Sequence, residues 1–270
     1  MDIEQVNTEQ KDSHLSEVLE LATQAGHILL ENGAEISRVE ETMERIAGHY
    51  GEKDCNFFVL SNGIFTTGSE NHGSRNYANV EFIPIRGAQL DRVVAVNELS
   101  RQICKGTLTI EEAKAELQKI RTMKSKSAWE QILGSAFGSC GFCAIFGGGM
   151  LDCTASFVAG LLLWVFFLYP CRKMSKLLAN ILSSAFVTLL CILFYNIGFG
   201  VGLSHMIIGS VIPLIPGIPF TNGIRDLANG DYLAGTTRLL DALLVFFCIA
   251  LGVSITFILY SRITGGMIML

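Results

Sequence analysis

The sequence predicts an α-helical polytopic membrane protein with about five transmembrane helices and an N-terminal soluble α+β domain. Three observations predict it. Charge is segregated: residues 1–130 hold 21 acidic and 14 basic residues, whereas the following 140 positions hold ten charged residues in all. A large water-soluble core would still need a charged surface, so the second half faces a solvent that does not hydrate charge. Apolar segments recur at 132–151, 154–169, 177–195, 197–218 and 239–260. The first half mixes helical and period-two patterning. The boundary is expected near residue 127, with a cytosolic domain over 1–127 and a transmembrane domain over 128–270.

The first element is a helix over 13–31, where Leu15, Val18, Ala22, Ala25 and Leu29 form one apolar stripe. Gly33 supplies a C-terminal stop. Ser37-Arg38-Val39-Glu40 has the spacing of a capping box and opens a second helix with the stripe Val39, Met43, Ile46 and Ala47. Segments 56–60 and 64–67 flank Asn62-Gly63, a hairpin signal, and 78–85 reads as a third strand. Helical spacing returns over 90–104 through Val93, Val94, Val96 and Leu99. Thr109-Ile110-Glu111-Glu112 is a second capping box, opening a helix that ends near Arg121. The run Glu40, Glu41 and Glu44 reads as a solvated helix face or a cation or regulator contact.

In the second half a helix rising ~1.5 Å per residue needs about 20 residues to cross the hydrocarbon core, which makes the second span short. Lys119, Arg121, Lys124 and Lys126 precede span one. Arg172, Lys173 and Lys176 separate spans two and three, and Arg225 and Arg238 separate spans four and five. Under the positive-inside rule these loops are cytosolic. The N-terminal stretch is acidic with no signal-peptide pattern, so the N-terminus is expected inside and the C-terminus outside. The cysteines read as reduced and unpaired.

Gly134, Gly138 and Gly141 in span one suit close helix packing, or a path lined by bare backbone. Cys140-Gly-Phe-Cys143 lies within the same apolar span and reads as small packing residues. The most informative stretch is 212–222, with Pro213, Pro216 and Pro219 spaced by three and Gly217 between them. Proline lacks an amide hydrogen and clashes with the preceding turn, so no regular helix runs through all three. Broken backbone at membrane depth is tolerated where protein or a polar cavity shields it, as at transporter binding sites. Thr221 or Asn222 would cap a short helix carrying Arg225 and Asp226. Gly230 would end it, and Asp231 would cap the last helix, which carries Arg238 and Asp241. The stretch reads as a substrate pathway or gate, or as a loop whose charges anchor helix ends at headgroups. His205 is a candidate proton relay or a structural hydrogen-bonding group.

No nucleophile elbow and no phosphate loop occurs, and the histidines lack metal-ligand spacing, so neither an enzyme nor a metal or cofactor protein is indicated. No feature points to nucleic acid. Two roles remain: a transporter, or a membrane-anchored sensor or assembly subunit whose soluble domain binds a ligand or partner.

The segment Leu29-Leu30-Glu31-Asn32-Gly33-Ala34-Glu35-Ile36-Ser37-Arg38-Val39-Glu40-Glu41-Thr42-Met43 resembles the N-terminal signature of the threonine/serine exporter family. Pro216-Gly217-Ile218-Pro219, with Arg225-Asp226-Leu227 and Gly230-Asp231, resembles that family's membrane-domain motif. The resemblance implies ion-gradient-driven export of small hydrophilic metabolites across the inner membrane. It places Pro216, Gly217, Pro219, Arg225, Asp226 and Asp231 in the functional motif. Full-length members carry about twice as many spans, so the chain resembles the half-length form, which works with a separately encoded membrane subunit. That form is linked to export of dicarboxylates such as succinate. The implied partners are a small amino acid or dicarboxylate, the lipid bilayer, and a second membrane subunit or further copies of the chain.

Overall fold

The computed structural model describes residues 3–70, 75–84 and 87–264. The chain divides into two compact units: Met1–Ser125 with Ile218–Leu239, and Lys126–Gly217 with Leu240–Leu270. The first unit therefore takes up a segment that sequence patterning assigns to the membrane half.

In the first unit, α1 (Ile3–Glu31) begins ten residues before the expected start at residue 13. Leu15, Val18, Ala22, Ala25 and Leu29 are buried as expected, but so are Leu19, Leu21, Ile28 and Leu30. This helix is enclosed on several sides, so its stripe understates its burial. Gly33 stops it with φ +84°, and α2 (Ile36–His49) follows. Val39, Met43, Ile46 and Ala47 all reach the core. A three-stranded antiparallel sheet comes next, β1 (Cys55–Leu60), β2 (Gly63–Glu70) and β3 (Arg75–Phe82), in the order β1-β2-β3. Leu60 pairs with Gly63, so the two-residue turn is Ser61-Asn62, one position earlier than the Asn-Gly signal suggests. α1 lies on β2, where the buried hydroxyls of Thr23 and Thr66 bond at 2.9 Å. A Cβ at Gly68 would stand 2.6 Å from Leu19 Cδ1, which is why no side chain fits there.

α3 (Leu90–Cys104) buries Val93, Val96, Leu99 and Ile103, while Val94 is exposed. α4 (Ile110–Arg121) opens with the expected capping box: the Glu112 amide donates to Thr109 Oγ1 and the Thr109 amide to Glu112.

The second unit is helical: α5 (Ala128–Ile145), α6 (Met150–Leu168), α7 (Lys176–Asn196) and α8 (Leu203–Val211), with a 3₁₀ turn at Pro170–Lys173. In chain order α9 (Gly217–Ala228), which falls in the first unit, and α10 (Tyr232–Thr264), whose start to Leu239 also falls there, follow. Among the described residues, three stretches are long and apolar enough to cross a membrane: Met150–Lys173, Lys176–Asn196 and Tyr232–Thr264. The bent pair Leu203–Leu214 and Gly217–Ala228 makes a fourth if it is one span. α5, expected as span one, has 18 residues and carries Glu130 and Gln131 in its first turn.

α5 and α6 meet along small residues, but not along the predicted ones. Ser135 Oγ donates to the Gly160 carbonyl at 2.8 Å, and a Cβ at Gly160 would fall 2.3 Å from Ser139 Oγ. Gly209 of α8 comes equally close to the Cys143 backbone. Gly134, Gly138 and Gly141 have open space where a Cβ would be. The seam lies one residue off the Gly-x-x-x-Gly register because Ser135 and Ser139 are small enough to let the helices meet, and Ser135 adds a hydrogen bond across it.

Candidate functional site

The proline stretch interrupts the helix as its chemistry requires. α8 ends at Val211, Pro213 sits in a 3₁₀ turn (Ile212–Leu214), and the pieces on either side bend by 66°. Pro219 lies in the first turn of α9, where a missing amide hydrogen breaks no helical bond. α9 therefore starts before Thr221 and Asn222, which are not its caps; Thr221 Oγ1 donates to the Ile218 carbonyl. Gly230 turns the chain with φ +94°, and α10 begins at Tyr232, directly after Asp231.

Two glycines let α9 and α10 fold back on each other. A Cβ at Gly223 would lie 3.0 Å from the Leu239 amide nitrogen, and one at Gly235 would lie 2.8 Å from the Leu227 nitrogen. Both obstructions are backbone, so a side chain at either place forces the helices apart. This close approach brings Arg238 against Asp226. Arg238 Nη1 donates to Asp226 Oδ2 at 2.8 Å, with Asp226 fully buried and Arg238 8% exposed.

The pair is anchored to the turn between α1 and α2. Arg238 Nη2 donates to the Ala34 carbonyl at 2.9 Å, and the Ile36 amide donates to Asp226 Oδ1 at 3.2 Å. Asn222 Nδ2 donates to the Gly33 carbonyl at 2.8 Å, Arg225 pairs with Glu35, and Asn229 Nδ2 donates to Ser37 Oγ at 3.2 Å. The expected capping box at Ser37 is not formed. Glu35 occupies the N-cap position without a side-chain capping bond, and Asp226 caps α2 from 190 residues away. A helix N-terminus favours a carboxylate, and the guanidinium balances its charge, so Asp226 stays buried with both oxygens bonded. The two motifs that lie furthest apart in sequence thus form one cluster.

A family profile described as "Putative threonine/serine exporter" matches residues 20–260. The chain belongs to the threonine/serine exporter family. This is a family of membrane transporters, not of enzymes, and the matched range contains both halves of the cluster. The chain is also similar to an uncharacterized protein of Schizosaccharomyces pombe, 24% identical over 185 residues, 64% of this chain and 22% of that relative. The chain thus spans less than a quarter of that relative's length. No solved structure matches.

The remaining predicted site residues of this exporter-family chain are dispersed. Asp231 borders a cavity of about 190 Å³ at the free edge of β1, lined by Phe58, Leu60, Gly230, Tyr232 and Leu233 among others. Nearby, Glu40 accepts a hydrogen bond from the Val59 amide at 3.0 Å. Burial pushes the Glu40 carboxyl above the usual range; Asp231 and Glu44 add to the rise and the Val59 bond opposes it. The acidic run is therefore split, with Glu41 and Glu44 in solvent and Glu40 half-buried. Asp241 pairs with Lys176 at 2.5 Å and does not join Arg238. Pro213 lines a separate groove with Gln131, Gly134, Gly138, Phe142 and Trp164. Pro216 and Gly217 lie at the break itself.

Sequence reasoning missed Asp152 as a structural centre. It is 5% exposed and accepts amide bonds from Gly149 at 2.9 Å, Val201 at 2.6 Å and Gly202 at 2.9 Å. It thereby ties the start of α6 to the loop before α8. The one available signal was a carboxylate within an apolar stretch. The ring of His205 lies beside Gly202, where a Cβ would fall 2.5 Å from its Nδ1. Among the described residues no group of histidine, cysteine or carboxylate side chains has the arrangement of a metal site, and all eight cysteines are free.

Proposed function

We propose that the chain exports small hydrophilic metabolites of the threonine/serine type, as an exporter or as one subunit of an exporter, with the Asp226–Arg238 cluster as its gating latch. Family membership and apolar helices of spanning length support the transport reading. The observation that carries the latch is the convergence of the signature turn at Gly33–Ser37 with Asn222, Arg225, Asp226, Asn229 and Arg238 on one buried ion pair. Separating a buried carboxylate from its only guanidinium costs about 3–5 kcal/mol unless new partners or water replace it. α10 carries Arg238 in its second turn and continues unbroken to Thr264, so displacement of that helix and opening of the latch are mechanically linked.

In this reading the domain bearing the signature turn is cytosolic, the membrane is the inner membrane, and the basic loops face inward. Pro213, Pro216 and Gly217 supply the flexible break of the pathway. A second membrane subunit or further copies of the chain complete the enclosure, since so few spans enclose little by themselves.

The test is efflux of labelled threonine, serine and succinate from cells with and without the protein, each with and without a co-expressed second subunit. Export of threonine or serine that depends on the protein is expected. Succinate export alone would move the substrate to dicarboxylates, and no export of any of the three would end the transport reading.

A further inference from the structure

The three-stranded sheet is covered by helices on one side and bare on the other. Cross-strand register places Phe58 opposite Phe65 and Phe65 opposite Val80, so these residues form one row across all three strands. Phe82 lies two residues along β3 from Val80, on the same face. The exposures are 57% for Phe58, 37% for Phe65, 67% for Val80 and 72% for Phe82. The flanking rows on that face are Asn56, Thr67 and Ala78 on one side and Leu60 and Gly63 on the other. The described strand positions on that face are all uncharged, in the half of the chain that carries most of the charge, and Asp231 borders the face beside Phe58 and Leu60.

We propose that this face is the contact between two copies of the chain, packed sheet to sheet about a twofold axis. The lack of charge selects the occupant. A surface built for anionic lipid presents lysine and arginine beside its apolar residues, and this one presents neither. A dissimilar protein partner is commonly steered by charge complementary to its own, and this face offers only the single carboxylate of Asp231 at its margin. An isologous pairing sets the same uncharged row against itself and needs no complement.

The area is of the right order. Taking about 200 Å² for a fully exposed aromatic side chain, the three phenylalanines offer roughly 330 Å² per copy, and Val80 adds a smaller aliphatic share. Two copies thus supply about two thirds or more of the roughly 1,000 Å² at which specific interfaces begin, and Asn56, Thr67 and Leu60 at the rim supply the rest. Copies confined to one membrane meet at a raised effective concentration, so a modest interface suffices.

The test uses the full-length chain in native membranes. Thr67→Cys, exposed in the central strand, is treated with a short bis-maleimide beside the unsubstituted chain and a Glu98→Cys control on the exposed surface of α3. Cross-linked dimer several-fold above both controls is expected, falling to the control level when Val80→Glu is added. Dimer no greater than in the controls, or unaffected by Val80→Glu, overturns the proposal. Phe65→Trp, made in a chain whose Trp129 and Trp164 are replaced by phenylalanine, gives a second readout. Its fluorescence is expected to resist quenching by spin-labelled lipid, and strong quenching would assign the face to the bilayer instead.

Discussion

Arg238→Met is the most informative single substitution in the first unit. It keeps the aliphatic stem but removes the guanidinium, and with it the ion pair to Asp226 and the bond to the Ala34 carbonyl. Asp226 is fully buried, and the Ile36 amide would be its one remaining partner within the cluster. Breaking one side of a buried pair costs about 3–5 kcal/mol, most of it the penalty of the charge left behind. At about 1.4 kcal/mol per tenfold, protection of the amides around Ile36 should fall between about a hundred-fold and a few thousand-fold. Hydrogen–deuterium exchange on the purified full-length chain reads this directly. The companion variant Asp226→Asn with Arg238→Met removes the stranded charge while keeping an acceptor for the Ile36 amide, so it should recover most of the loss. Unchanged exchange in Arg238→Met, or a double variant no better than the single one, would refute the claim that the buried charge pair governs the cluster.

Three further outcomes follow from the same geometry. Gly235→Ala places a methyl carbon 2.8 Å from the Leu227 amide nitrogen and 2.9 Å from the Gly223 carbonyl, so α9 and α10 must separate. A cost of about 1–3 kcal/mol is expected in thermal unfolding, with weakened Arg238–Asp226 contact seen as faster exchange at Ile36. Asp152→Ala removes three amide bonds to a buried carboxylate, and faster exchange at Val201 and Gly202 should accompany a loss of about 3 kcal/mol or more. Glu40→Gln tests the raised carboxyl. The folded state holds the Glu40 proton where the unfolded chain has released it, so stability falls as pH rises from the ordinary glutamate value through the raised one. That decline should be absent in Glu40→Gln, whose amide oxygen still accepts from Val59, and an identical pH slope in both proteins would contradict the assignment.

Much of the fold was legible because local patterns report local structure. The capping box at Thr109, the stripe of α2 and the helix over Leu90–Cys104 depend on neighbours three or four residues away. Where sequence reasoning failed, the partner was remote. Ser37 has the spacing of a cap, yet α2 is capped by Asp226, and no local signal links positions 190 residues apart. Arg238 and Asp241 look paired at i, i+3, but each finds its counter-charge elsewhere, in Asp226 and Lys176. The Gly-x-x-x-Gly pattern of α5 identified a helix with small residues but not which face packs, since serine does the same work one position along. Both motif regions were visible, and their meeting was not.

Export that depends on the latch opening must stop when the latch is tied shut. Ser37 and Asn229 touch across it at 3.2 Å without belonging to the buried pair, so Ser37→Cys with Asn229→Cys provides a reversible lock. Efflux of labelled threonine should fall on oxidation in the double-cysteine protein, return with dithiothreitol, and stay constant in the equally treated unsubstituted chain. Full efflux with the disulfide closed would contradict the account.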